Sequence, residues 1–413
     1  MTEILLDTVD RYETVARGKL DDLRESGNYR TFANINRRAG AFPAAAIGSP
    51  AAEAEPDADV VVWCSNDYLA MAQHPEVIAA AEQALRRYGV GAGGSRNIGG
   101  TNHEIIALEG VLGEWFGKER ALVFPTGYGS NDAALEALSL VYPDLEIFSD
   151  ELNHASIIAG VRRNRNGRHV FRHNDVDDLR AQLAAADPAV PKLVVFESVY
   201  SMDGDIAPIA ELLAVAKEHG ALVFLDEVHA IGMYGPQGRG IAASLGLLDE
   251  IDIVQGTLAK SIGVIGGFIA GRDWLIDAIR SFAPGFIFTT ALPPATCAAA
   301  RRSVEIVRGA EDLRADLQAK TELLRQRLRA HGITVMEDSV THILPVRIGD
   351  PHRCTLAARR LFDEYRIYVQ PINPPTVPEG TSRFRINVTP AHTYDHIEHL
   401  ATALGAVFRE LGV

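Results

Sequence analysis

The chain has 413 residues, of which 47% are hydrophobic and 23% charged, a globular composition long enough for two packed cores. A formal charge of -14 argues against nucleic acid or an anionic membrane as the main partner, and three scattered cysteines argue against a disulfide framework or a metal site. No apolar run is long enough to span a membrane, and the first residues lack the basic and apolar segments of an export signal, so a cytoplasmic location is expected.

Taken in chain order, Ile4, Leu5, Val9, Tyr12, Val15, Leu20 and Leu23 recur at the spacing of an amphipathic helix. The stretch 44–60, rich in Ala, Pro and acidic residues, reads as a loop or linker. From 60 to about 290, apolar runs alternate with helical patterns. "ALVFPT" (121–126), "LVVFESV" (193–199), "ALVFLDEV" (221–228) and "DIVQGTL" (252–258) lack period-two alternation, as strands buried on both faces do. Helices are expected at 74–89 and 209–220, the latter closed by Gly220. One long helical stretch over 295–331 then precedes "HILPVRIG", "IYVQPI", "RFRINVT" and a final helix. The expected organisation is an N-terminal helix and arm (1–59), a large α/β domain (60–295) and a smaller C-terminal α+β domain (296–413).

In open α/β sheets the ligand site lies at the carboxyl ends of the strands. The predicted ends carry Ser198, Asp226 with His229, and Thr257 with Lys260. A lysine set among small and apolar neighbours in "GTLAKSIGVIGG" is suited to condense with an aldehyde. If that aldehyde is pyridoxal 5′-phosphate, an acid must keep its ring nitrogen protonated, which suits Asp226. Ser198 and His229 then flank the phenolic oxygen, and Thr257 donates to the phosphate. "PTGYGSND" places Gly127 and Tyr128 at a helix start where backbone N–H groups bind phosphate, and "ELNHASI" offers His154 to the ring face.

Three other motifs fail their context. "GVGAGG" (89–94) follows a helix pattern and not a strand, so the dinucleotide reading does not hold. "DEVH" (226–229) has the form of an ATPase acidic box, but no complete phosphate-binding loop accompanies it. "TLAK" lacks the companion motifs of an acyl-transfer serine or threonine enzyme.

The stretches "YRTF", "VWCSNDYLAM", "LNHASII", "FESVYSMDGDIAPI", "DEVHAIGMYGPQGRG", "GTLAK", "SFAPGFIFTT", "ALPPA" and "YVQPINPPTVPEGT" resemble the α-oxoamine synthases over residues 28–410. That resemblance implies the α/β fold of the fold-type I pyridoxal-phosphate transferases (aspartate aminotransferase-like): a large, mixed, mostly parallel sheet domain and a smaller α+β domain. It implies joining an amino acid to an acyl-CoA with loss of CO2, glycine and succinyl-CoA being the expected pair and another acyl-CoA or amino acid the alternative. It further implies Lys260 as cofactor lysine and proton-transfer catalyst, with Asp226, His154, Ser198, His229, Thr257, Gly127 and Tyr128 around the cofactor. Thr289 and Thr290 would reach the phosphate in the other subunit of a homodimer. Arg385 and Asn66 would take the amino acid carboxylate, Arg30, Ser95 and Asn97 the far carboxylate of the acyl group, and Ile98 and Thr376 would lie near the acyl chain. Ser95 stands where close relatives carry threonine, and Ile105 where the family carries histidine, which points to looser substrate choice and not to a new reaction.

Overall fold

The computed structural model describes residues 2–48 and 58–413. They fall into two compact units. The larger comprises Asn66–Ala319 with Thr389–Ala391, and the smaller Met1–Ser65, Lys320–Val388 and His392–Val413.

The larger unit is built on a seven-stranded sheet in the order Arg120–Phe124, Gly267–Gly271, Ile253–Thr257, Leu222–Asp226, Lys192–Glu197, Glu146–Asp150, Arg168–Phe171. Gly267–Gly271 is antiparallel to both of its neighbours, and the other pairings are parallel. The apolar runs became strands because helices cover the sheet on both faces. On one face Leu122, Ile147, Leu193, Val195, Phe224, Ile253 and Ile269 pack against Ala133, Leu135, Ile157 and Ile276 of three helices. From the other, Phe116 of the helix His103–Phe116 meets Phe268 with ring centres 5.5 Å apart. Burying side chains of this size contributes roughly 1.5–3 kcal/mol each.

The helices start where short polar side chains cap them. Asn102 accepts from the Ile105 amide, Thr126 from Gly129 and Asp175 from Asp178. Each such cap contributes about 1 kcal/mol and fixes where a chain segment enters its helix.

In the smaller unit, Ile343–Gly349, Ser382–Asn387 and Pro371–Ile372 form an antiparallel sheet. The helices Pro351–Tyr365 and Tyr394–Leu411 supply Leu361, Leu400, Leu404 and Phe408 to the core around Phe384 and Ile386. A second sheet, Asn34–Arg37, Ala44–Gly48, Ala58–Val62 and Ile367–Tyr368, gathers the N-terminal arm onto the C-terminal segment.

These pairings differ from the sequence-based expectation in four places. Residues 44–60 are not all loop: Ala44–Gly48 and Ala58–Val62 pair antiparallel, because Ala45, Ile47 and Val60 bury a small apolar face. The loop-like composition belongs to 49–57, outside the described residues. The stretch 295–331 is two helices, Pro294–Arg308 and Glu311–Ala330, broken at Gly309. "IYVQPI" is two short strands in different sheets. The unit boundaries also depart from 59/60 and 295/296. Parallel pairing of Ala58–Val62 with Ile367–Tyr368 holds the arm in the smaller unit, while Pro294–Arg308 packs on Pro75–Tyr88 and His103–Phe116 in the larger.

Candidate active site

Three parallel strands of the larger unit end in Glu197, Asp226 and Thr257. Glu197 pairs in register with Asp226, so two carboxyl groups sit side by side on adjacent strands. Asp226 is buried, and its carboxylate accepts from Asn131 Nδ2 at 2.8 Å and from the Val228 amide at 2.8 Å. Both donors are neutral. Burial raises the Asp226 pKa, opposed by those two hydrogen bonds and by Lys260 and His154. Glu197, also buried, is raised well above the ordinary carboxyl range by burial and then by Asp226.

Lys260 lies in the loop joining two antiparallel strands, Ile253–Thr257 and Gly267–Gly271. The loop is pinned on both sides of it. Leu258 donates to Gly266 at 2.9 Å, Ser261 Oγ donates to the Ile231 carbonyl, and Ser303 Oγ to that of Ile262 at 2.7 Å. Gly263 has φ +73°, and a Cβ there would stand 2.3 Å from the Ala72 amide nitrogen, so glycine alone fits the turn. Half-buried on this frame, Lys260 acts electrostatically on Asp226, Glu197 and His154.

Thr257 meets the helix Gly127–Val141 at its first turn. The N-terminal amides of Gly127 and Tyr128 take no intrahelical bond and carry the positive end of the helix dipole. A Cβ at Gly127 would stand 3.0 Å from Thr257 Oγ1, which keeps this approach narrow and open to an anion. The Thr257 hydroxyl donates to Gly266 at 3.0 Å and accepts from Ala259 at 3.1 Å, tying the strand end to the lysine-bearing loop.

His154 is exposed and caps the helix Ala155–Arg163. Its amide donates to Glu197 Oε1 at 2.6 Å and its Nδ1 lies 2.7 Å from Ser156 Oγ. Desolvation of the ring lowers its pKa, against the pull of Asp226 and with the help of Lys260. His229 is buried beside Tyr68, whose hydroxyl stands 2.8 Å from Nδ1.

Ser198 has a protein partner of its own. Fully buried, it donates from Oγ to Glu227 at 2.5 Å. Glu227 also accepts from the amides of Ile241 at 3.1 Å and Ala242 at 2.8 Å.

The remaining expected residues form separate groups. Ser95 and Thr290 make an isolated antiparallel bridge, and Ala291 donates to Gly94 at 3.0 Å, so the 94–98 and 289–291 segments meet. There Asn97, Ile98 and Thr290 are exposed, while Thr289 Oγ1 donates to Gly285 at 2.7 Å. Asn66 is exposed and lies 3.3 Å from the Tyr68 hydroxyl. In the smaller unit, the Arg30 guanidinium donates to Thr376 Oγ1 at 2.8 Å, and Arg385 is buried on Ser382–Asn387, the central strand of its sheet.

Sequence reasoning missed Asn131, Glu197, Glu227 and Tyr68. Asn131 had a signal, four residues after Gly127 and therefore on the same face of a helix. Glu197 is the last strand residue before Ser198, its pairing with Asp226 set by sheet register alone.

An aldehyde-bearing pyridinium phosphate fits the larger unit on three counts: a buried carboxylate held by neutral donors, a lysine acting on it, and unclaimed first-turn amides beside a threonine. Residues 58–404 match the class I and II aminotransferases. Over 387 residues the chain is 49% identical to the 5-aminolevulinate synthase of Rhodobacter capsulatus, covering 93% of this chain and 94% of that one. The chain belongs to the 5-aminolevulinate synthase family. The enzyme of that name from Paracoccus denitrificans is 48% identical over 401 residues, 97% of each chain. Among solved structures, a lysine-to-alanine variant of the serine palmitoyltransferase of S. paucimobilis with a bound PLP–myriocin aldimine has a TM-score of 0.88 at 32% identity and covers 98% of this chain and 99% of that one. Similarity to 5-aminolevulinate synthases thus spans nearly the whole chain. Among the described residues, no helix is long and apolar enough to cross a membrane.

Proposed function

We propose that this chain condenses glycine with succinyl-CoA to give 5-aminolevulinate, CoA and CO2, using pyridoxal 5′-phosphate, and that it works as a cytoplasmic homodimer. The observation that carries the reading is the buried Asp226, held by neutral donors in the field of Lys260 at neighbouring strand ends. A carboxylate withdrawn from water favours a cation beside it, and a protonated pyridine nitrogen is one. Near-half identity along almost the whole length of named 5-aminolevulinate synthases supports the choice of substrates.

When bound, pyridoxal phosphate supplies an aldehyde that takes up amines and a cationic ring that accepts an electron pair from carbon. Asp226 would hold the proton on the ring nitrogen. Gly127 and Tyr128 would bind the phosphate through their amides, Thr257 by turning its proton from the Gly266 carbonyl, and His154 would cover the ring face. Lys260 Nζ would hold the cofactor and move the glycine α-proton. Arg385 grips the glycine carboxylate through its planar fork, fixing which bond at the α-carbon is oriented for cleavage, with Asn66 as a second contact. Arg30, joined to Thr376, and Ser95 with Asn97 and Ile98 select the succinyl end: a cation left unpaired by an uncharged acyl chain is costly. Thr289 and Thr290, which the resemblance assigns to the other subunit's phosphate, are the residues on which the dimer reading rests.

The test is thiol release and 5-aminolevulinate formation across a panel of acyl-CoA thioesters with glycine, alanine and serine. Glycine with succinyl-CoA should give the highest kcat/KM. Turnover confined to long-chain donors would move the chain to a sister activity.

A further inference from the structure

Asn131 holds Asp226 with one amide proton and Ser156 with the other. Its Nδ2 lies 2.8 Å from Asp226 Oδ2 and 3.0 Å from Ser156 Oγ. Ser156 Oγ lies in turn 2.7 Å from His154 Nδ1. Asn131 and Ser156 are both 1% exposed, on the helices Gly127–Val141 and Ala155–Arg163, while His154 is exposed. A continuous chain of hydrogen bonds thus joins the carboxylate of Asp226 to the imidazole of His154.

The direction of each bond follows from its neighbour. An amide nitrogen only donates, and turning the Asn131 amide over would aim its oxygen at a carboxylate. Asn131 Oδ1 is buried and takes no hydrogen bond among the described residues, a cost of about 1–3 kcal/mol that the two N–H contacts offset. Ser156 Oγ accepts from Asn131, which leaves its own proton for His154 Nδ1. The Ser156 backbone amide, which can only donate, meets the same Nδ1 at 3.2 Å. Two donors on one ring nitrogen leave it no proton of its own, so the imidazole carries its proton on Nε2.

We propose that Asn131 and Ser156 are positioning residues that set Asp226 and His154 together: Asn131 stabilises the Asp226 carboxylate and, through Ser156, holds His154 as the neutral Nε2–H imidazole. A cationic ring with Asp226 at its nitrogen and His154 on its face gains from the carboxylate and would be repelled by an imidazolium. That a pyridinium ring lies between them rests on the function proposed above. The direction of the hydrogen bonds does not. Around the imidazole, Asp226 favours the charged form, Lys260 and burial oppose it, the Tyr128 ring stands edge-on at 6.5 Å, and Glu197 holds the His154 backbone amide.

The experiment is nitrogen NMR on holoenzyme with labelled histidine and, separately, with pyridoxal phosphate labelled at its ring nitrogen. The His154 signals are identified by their loss in His154→Asn. The wild type should show the Nε2–H tautomer at neutral pH. Ser156→Ala removes a donor from Nδ1, so the His154 pKa should rise by about 0.5–1 unit, while the cofactor's ring-nitrogen signal stays in place. Asn131→Leu breaks both branches and should move both signals, the cofactor's toward its unprotonated form. Loosened packing would not sort the two signals by branch. An Nδ1–H or doubly protonated His154 in the wild type overturns the proposal, as does a Ser156→Ala variant with the wild-type His154 titration. Should the variants fail to fold by circular dichroism, the wild-type tautomer decides alone. A wild type that makes no 5-aminolevulinate but shows the Nε2–H tautomer and the two-branch pattern removes the proposed function and leaves the roles of Asn131 and Ser156 standing.

Discussion

Glu227 offers the most direct check on the electrostatics beneath the strand ends. It is fully buried and accepts three hydrogen bonds, from Ser198 Oγ and the amides of Ile241 and Ala242. Burial raises its pKa from 4.5 to about 7 in spite of those donors. A folded value above the unfolded one means that the stabilisation is complete below pH 4.5 and is lost as pH rises through 7. The gap corresponds to about 3 kcal/mol. Glu227→Gln removes the titration and keeps the shape. Its amide must face one backbone N–H, at a pH-independent cost of about 1–3 kcal/mol, so the level of stability will drop while the slope flattens. Urea unfolding of both holoenzymes at a series of pH values reads that slope, and every other titrating group is shared by the pair. The stability gap between wild type and variant should therefore shrink with rising pH. A constant gap from pH 4.5 to 7 would refute the reasoning, by showing that the three donors keep Glu227 ionised throughout.

Four other outcomes are expected. Lys260→Ala should lower turnover at least about a hundredfold while the protein still takes up pyridoxal phosphate by absorbance, since the residues proposed to hold the phosphate and ring are others. Arg385→Lys keeps the charge and loses the planar fork, so glycine KM should rise about tenfold to a hundredfold in steady-state kinetics. Thr376→Val removes the acceptor for Arg30 at 2.8 Å, and KM for succinyl-CoA should rise about threefold to tenfold with KM for glycine unchanged. His173 lies 2.9 Å from both Asp150 and Asp205, which overcome burial and raise its pKa to about 10. Its charge stabilises the fold fully below 6.5 and fades as pH rises through 10, and His173→Ala should cost about 3–5 kcal/mol in denaturation at neutral pH by leaving two carboxylates facing each other.

The parts of this fold that could be read from the sequence are those whose cause is local. Strands buried on both faces leave continuous apolar runs, and "LVVFE" and "LVFLD" were recognisable for that reason. Capped helices carry their own start signals, as Thr126 before Gly127 does. Ala44–Gly48 failed because small residues in a strand resemble those of a linker, and its partner strand alone decides between them. The break at Gly309 failed because a single glycine lowers helix propensity without forbidding a helix.

The same division runs through the site. Asp226 and Thr257 end their strands and Lys260 follows Thr257 by three residues in the next loop, a spacing visible in the sequence. Glu197, Asn131 and Tyr68 work through contacts with residues 29 to 161 positions away, and only folding brings those partners together. Ser198 stands at a strand end, where position suggests a cofactor contact, and the residue after the neighbouring strand, Glu227, is a buried acceptor for its hydroxyl that the sequence did not reveal. Spacing selects which residues arrive at the strand ends. Sheet register and competition among buried acceptors then decide what each of them holds.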